Sequence, residues 1–249
     1  MRINSKKVRA SETLKVKNIN NGRLGLQIKT FFGPIILLAI TKFDFLLQIF
    51  AQIGEICRFY IWQKNKFKDV PVYLSKKRFY SALIQELNND PQSTDFYEFG
   101  VAHGFATNYF MSNPEFETQL LHEYNAYDTF EGLNKPFREF PEGSFTNNGL
   151  VPAIFNEKLT WNIGLVEDTF KGFTHSTCRK VIFFDLDLYE PTLFVMKKIL
   201  NSLLPGDFIY FDEGFDLNEF KIIEDFVMKQ FEVRLIGTNF QAICFQIIE

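Results

Sequence analysis

Cysteine and histidine are scarce in this chain, with three of each in 249 residues. Cys57, Cys178 and Cys244 are odd in number, far apart and without a C-x-x-C spacing, which argues against a disulfide framework or a structural zinc motif. A reducing, cytoplasmic setting is expected. His103, His122 and His175 show no H-x-x-x-H or mixed Cys/His spacing, so each reads as a surface or satisfied core histidine. A long uninterrupted apolar run is also missing. The most apolar stretch, "FFGPIILLAITKFDFLLQIFAQIGEICRFYIW", is broken by Lys42 and Asp44, and neither piece reaches the roughly 20 residues that span a bilayer. Residues 1–30 lack the layout of a signal peptide and read as a loosely ordered leader with a turn at Asn21-Gly22. There is no internal repeat, no N/D-P-P-Y/F motif and no aromatic-basic interleaving, so nucleic acid is not the expected partner.

Phenylalanine, by contrast, is abundant at 31 residues and reads as core filler. Charge is unevenly placed. Residues 1–80 carry 16 Lys/Arg against 4 Asp/Glu, while residues 81–249 carry 11 against 26. The split suggests two modules, a basic extension over 1–72 and a main domain over 73–249. A basic module suits a negatively charged partner or is simply a solvated face. From Asp44 onward, Gln48, Gln52, Glu55 and Arg58 recur at helical steps, leaving Leu46, Leu47, Ile49, Phe50, Ile53 and Cys57 on the other side. This amphipathic helix is expected to pack on the main domain or a second copy of the chain, making a homo-oligomer. A peripheral contact with a membrane surface stays open as the alternative.

From about residue 93, strands and helices alternate in the manner of a doubly wound α/β sheet. Strands are expected over 95–100, 124–129, 160–166, 180–187, 207–212, 231–237 and 241–248. The last two are separated only by a short turn at Thr238-Asn239, so strand seven must run antiparallel to strand six. A parallel sheet closed by such a hairpin is the Rossmann-like arrangement of class I methyltransferases, and differs from the parallel ending of dinucleotide dehydrogenases.

Ligands of open α/β sheets lie beyond the carboxyl ends of the strands, so the strand tips carry the candidate chemistry. Strand one ends in "YEFGVAHG", where Gly100 permits the turn, Gly104 opens the next helix, and Ala102 stands where a dinucleotide fingerprint has glycine. That alanine weakens a pyrophosphate reading. Strand two ends in "AYDTFEGL", placing Asp128 twenty-four residues after Gly104, near the offset at which an acid receives ribose hydroxyls or caps the next turn. "VEDTF" after strand three offers Glu167 and Asp168 to an adenine amino group or to a turn. "FFDLDLYEPT" and "IYFDEGF" bring Asp185, Asp212 and Glu213 to one end of the sheet, where like charges call for a proton or a cation such as Mg²⁺. For Asp187 and Glu213 a plain role as helix-cap or turn acids stays open. The stretch 131–158, rich in Gly, Pro and Asn, reads as a lid over an acceptor or as a passive insertion.

Taken in order, "YEFGVAHG", "YDTFEGL", "GLVEDTF", "DLDLYEPT", "LLPGDFIYFDE" and "NEFKIIEDF" resemble the S-adenosylmethionine-dependent O-methyltransferases of the macrocin and mycinamicin type, over about residues 73–249. The resemblance implies that Glu98, Gly100 and Gly104 line the methionine part of the cofactor. It implies that Asp128 takes the ribose and that Asp168 lies near the adenine. It further implies that Asp185 is the general base and that Asp185, Asp212 and Glu213 form a magnesium site. Glu213 departs from that pattern, which has a second Asp there, and the basic N-terminal segment has no evident counterpart. The expected acceptor is a hydroxyl of a sugar or sugar-derived small molecule. Two other functions stay open: methylation of a lipid-linked glycan at a membrane, and a silent scaffold that keeps only the fold.

Overall fold

The structure is a computed structural model that describes Gly33, residues 44–173 and residues 177–249. The expected leader and His175 lie outside the described residues. The chain divides into two compact units, 1–54 and 55–249. Helix α1 (Asp44–Lys66) leads in, and from Glu55 on it belongs to the larger unit. No helix among the described residues is long and apolar enough to cross a membrane.

The larger unit is built on a seven-stranded sheet: β1 (Thr94–Phe99), β2 (Leu121–Asp128), β3 (Leu159–Ile163), β4 (Arg179–Phe184), β5 (Phe208–Phe211), β6 (Val233–Thr238) and β7 (Ile243–Ile247). Their order across the sheet is β3-β2-β1-β4-β5-β7-β6, with every pair parallel except those involving β7. This is a Rossmann-like α/β sheet with an antiparallel closing hairpin, as the sequence indicates. The hairpin is pinned by Asn239, whose side chain accepts from the N–H groups of Gln241 and Ala242 while its own N–H donates to the Ala242 carbonyl.

Strands β1 and β4, "TDFYEF" and "RKVIFF", are buried along their whole length because helices cover both faces. Successive side chains go to opposite faces, so Phe96, Val181 and Phe183 join one core while Tyr97, Ile182 and Phe184 join the other. The first core packs under helices α2 (Lys76–Asn89), α3 (Phe105–Met111) and α4 (Pro114–Gln119). The second takes α5 (Val166–Thr169), α6 (Tyr189–Ile199) and α7 (Leu217–Ile222), a π-helical stretch to Val227 and the short α8 (Met228–Gln230). Many of the phenylalanines are spent here. Phe96 stacks on Tyr124 at 4.4 Å, Phe183 on Tyr210 at 4.1 Å, and Phe184 on Phe211 at 5.0 Å, each pair joining neighbouring strands.

Helix α1 packs on the main domain through residues other than most of the expected apolar side. The stripe Leu47, Ile49, Phe50 and Ile53 is exposed, and the residues that pack on the sheet's core are Ile56, Phe59 and Trp62. Trp62 also donates to Glu224, and its ring meets Phe220 edge-on at 5.1 Å.

Candidate active site

The tips of β1 to β5 meet around a cleft of about 300 Å³. At its floor the chain leaves β1 through Gly100, which has φ +90°; a Cβ there would lie 1.8 Å from the backbone oxygen of Asp185. Only glycine lets the tips of β1 and β4 touch. The next residues, Val101 and Ala102, line the cleft and turn their N–H groups onto Asp128 Oδ2 at 2.6 and 2.8 Å. Asp128 Oδ1 accepts from the Phe130 N–H at 2.7 Å. The Asp128 carboxylate therefore fixes two turns at once and still faces the cleft, with about one of its roughly four acceptor sites left for a ligand.

Two expected cofactor residues sit behind this surface. Glu98 is buried and does not line the cleft; its Oε2 accepts from the hydroxyls of Thr107 at 2.6 Å and Tyr124 at 2.5 Å, tying β1 to α3 and β2. Burial pushes its carboxyl up to about 7 despite those two donors. Gly104, the N-cap of α3, has φ +75°, and a Cβ there would come within 3.1 Å of Pro152 and Ile154. Its bareness thus admits the segment after β2. Asp168 is exposed and lies off the cleft wall, which at this point is formed by Gly164, Leu165, Val166 and Glu167.

On the opposite wall Asp185, Asp187, Asp212 and Glu213 converge. Burial, then the neighbouring Asp212, holds Asp185 well above the ordinary carboxylate range. The same causes in the same order bring Asp187 to about 7 and Glu213 to about 8. Asp187 has φ +60°, a left-handed bend that turns the chain from the β4 tip into α6.

Two basic side chains that the strand tips do not announce pair with the acids here, Lys76 on the cleft wall and Arg138 behind it. Lys76, the first residue of α2, places Nζ 2.5 Å from Asp212 Oδ2, while the Tyr210 hydroxyl donates to Oδ1 at 2.8 Å. Arg138, from the Gly- and Pro-rich stretch, donates through Nε and Nη2 to Asp216 Oδ2 at 3.0 and 2.7 Å and sets Nη1 3.5 Å from Glu213 Oε2. Its guanidinium lies over the Phe215 ring at 4.6 Å. Glu213 Oε1 accepts from Gln241 at 2.8 Å. A sequence signal for Lys76 did exist: "KKR" at a helix start opposes the helix dipole and so calls for acidic neighbours elsewhere. Arg138 gave none.

The stretch between β2 and β3 is not a featureless insertion. It folds on its own hydrogen bonds, Leu133 N–H to the Ser144 carbonyl and Gly143 N–H to that of Leu133, and contributes Gly132, Leu133, Asn134 and Phe145 to the cleft.

A divalent ion does not fit the acids as they stand. Asp212 has both oxygens engaged, one by an ammonium; Glu213 Oε1 accepts from Gln241, and its buried Oε2, which makes no hydrogen bond, pairs with the Arg138 guanidinium at 3.5 Å. Among the described residues, the three potential ligands whose atoms lie within 4.8 Å of one another are Asp95, His122 and Cys178, at the opposite, amino ends of β1, β2 and β4. A cofactor of modest size with a positive centre does suit the cleft, which is lined by six carboxyl groups (Asp128, Glu167, Asp185, Asp187, Asp212 and Glu213) and the single ammonium of Lys76.

No protein-family model matches the chain, and no curated protein matches it. Solved structures do. The calicheamicin methyltransferase CalS11 is similar at 19% identity, covering 70% of this chain and 80% of its own, with a TM-score of 0.48. The O-methyltransferase NovP is similar at 14% identity with the same coverages and a TM-score of 0.48. The N-methyltransferase NodS from Bradyrhizobium japonicum WM9 is similar at 13% identity, covering 70% of this chain and 96% of its own, with a TM-score of 0.41.

Proposed function

We propose that the chain is an S-adenosylmethionine-dependent O-methyltransferase acting on a hydroxyl of a sugar or sugar-derived small molecule. The observation that carries this reading is the lining of the cleft at the sheet's switch point: six carboxyl groups face one ammonium, and even with Asp185, Asp187 and Glu213 holding their protons more tightly than usual this lining disfavours a pyrophosphate and suits a sulfonium. The motif series from Glu98 to Glu213 supports the same choice, and a wall of carboxylates offers acceptors to a hydroxyl-rich molecule.

When bound, the cofactor would supply an activated methyl group for transfer to the acceptor oxygen, with the carbon–sulfur electron pair left on sulfur. The chain's own residues do the rest. Gly100 to Ala102 and Asp128 give the floor for the methionine and ribose parts, and Leu165 and Glu167 bound the far end. Asp185 takes the hydroxyl proton. Burial and the neighbouring Asp212 raise its pKa, which makes it a stronger base than an ordinary carboxylate. Alignment of the hydroxyl with the methyl supplies the remainder of the rate.

Calorimetric titration with S-adenosylhomocysteine tests the reading. The wild type binds it, NAD does not compete, and Leu165→Trp, which fills the cleft from a side chain already 40% exposed, loses the heat of binding. No heat with the wild type, or equal heat with the Trp variant, would discard the assignment.

A further inference from the structure

The disagreement between the acids and a divalent ion has a constructive side. We propose that Lys76, backed by Arg138, is the resident cation of the Asp212–Glu213 pair, so that this site works with a charge built into the chain where the motif resemblance calls for a metal. Four observations carry it. First, Lys76 lies where its own helix disfavours it: it opens α2 directly after the N-cap Ser75, in a first turn that holds Lys76, Lys77 and Arg78 and no acid. Lys76 alone of these lines the cleft, so what it faces accounts for its position.

Second, its contact is specific. Nζ sits 2.5 Å from Asp212 Oδ2, the carboxylate is 4% exposed, and the other oxygen is held by Tyr210. Third, Glu213 has its own cation: Arg138 Nη1 at 3.5 Å, anchored through Asp216. The longer Glu side chain reaches a neighbour that an Asp would leave further away. Fourth, Mg²⁺ demands oxygens at about 2.0–2.1 Å in near-octahedral array, and here that space against Asp212 holds a nitrogen.

Lys76 has three donors, of which Asp212 takes one, and its side chain is 35% exposed toward the cleft. A remaining donor can fix an acceptor oxygen next to Asp185. Lys76 is thus a positioning residue for the hydroxyl, a role that rests on the methyltransferase reading; its role as the pair's cation does not.

The test is metal uptake by the purified full chain, read from the EPR signal of free Mn²⁺, alongside S-adenosylhomocysteine calorimetry with and without a chelator. Wild type and Lys76→Arg leave Mn²⁺ free in the millimolar range. Lys76→Met, which keeps the apolar stem and drops the charge, binds one Mn²⁺ per chain at least roughly tenfold more tightly than wild type, and adding Asp212→Asn abolishes that gain. Wild-type uptake that Asp212→Asn removes would overturn the proposal, as would a folded Lys76→Met that takes up none. The wild-type and Lys76→Arg arms decide whether or not Lys76→Met folds. Loss of S-adenosylhomocysteine binding in the wild type would sink the methyltransferase reading and leave the Mn²⁺ result standing.

Discussion

At the scale of single residues, burial sets the chemistry more than identity does. Glu98 is held by two hydroxyls in a closed core and keeps its proton to about pH 7, against an ordinary value of 4.5. Between those two pH values the folded chain binds a proton that the unfolded chain has lost, so stability falls as pH rises through that window. We expect Glu98 to contribute a loss of about 3 kcal/mol between pH 5 and pH 8, and Glu98→Gln to remove that part of the slope. Urea denaturation of both proteins at the two pH values measures it; equal slopes would place the ionised carboxylate comfortably in the core. Gly100 argues from space instead. With 1.8 Å available to a Cβ beside the Asp185 carbonyl, Gly100→Ala must part β1 from β4, and we expect a Tm drop of several degrees together with loss of S-adenosylhomocysteine binding. An unchanged Tm would mean that the two strand tips can separate without cost.

At the scale of elements, the stretch between β2 and β3 depends on Arg138. Its guanidinium ties a loop carrying left-handed residues at Phe130, Arg138, Phe145 and Asn148 to Asp216 and Glu213. Arg138→Ala leaves the buried Asp216 and the half-buried Glu213 less compensated, a change of about 1–3 kcal/mol, and we expect amide exchange over 130–150 to accelerate by roughly tenfold or more while β1 and β4 stay protected. Exchange unchanged over 130–150 would show that the loop stands on its backbone bonds alone. This element also shows what the sequence made legible. The seven strands are readable because most are rich in aromatic or β-branched residues between turn residues, even where polar residues interrupt them as in β2, and the short Thr238-Asn239 turn dictates the antiparallel end. The edges were less so. Strand β3 ends at Ile163 short of Val166 because Gly164, at φ +136°, turns the chain into α5, and β4 ends at Phe184 because the following acids bend through Asp187. In α1 the apolar stripe pointed to Ile49 and Phe50, while the core took Phe59 and Trp62, a choice set by distant partners on α7. Lys76 meets Asp212 across 136 residues of sequence, so the basic helix start signals a need for acids but not which acid answers it.

At the scale of the whole molecule, the asymmetry of charge and the exposed side of α1 belong together. Leu47, Ile49, Phe50 and Ile53 present a row of apolar side chains between 37% and 55% exposed, on a segment whose sequence neighbourhood is strongly basic. Water contact with such a row is unfavourable at about 25 cal/mol per Å² of apolar surface, so association that covers it is favoured. The remainder of the chain is acidic, and a second copy offers both an equivalent apolar row and opposite charge, which a neutral surface does not. We therefore expect full-length protein to scatter light with a mass near twice 29.2 kDa, and the double change Ile49→Asp with Phe50→Asp to return it to 29.2 kDa. Because neither residue lines the cleft, S-adenosylhomocysteine binding should be the same in both forms. A wild type of single mass that instead floats with anionic vesicles, and ceases to do so in the double variant, would assign the row to a membrane surface and the basic residues around it to lipid phosphates.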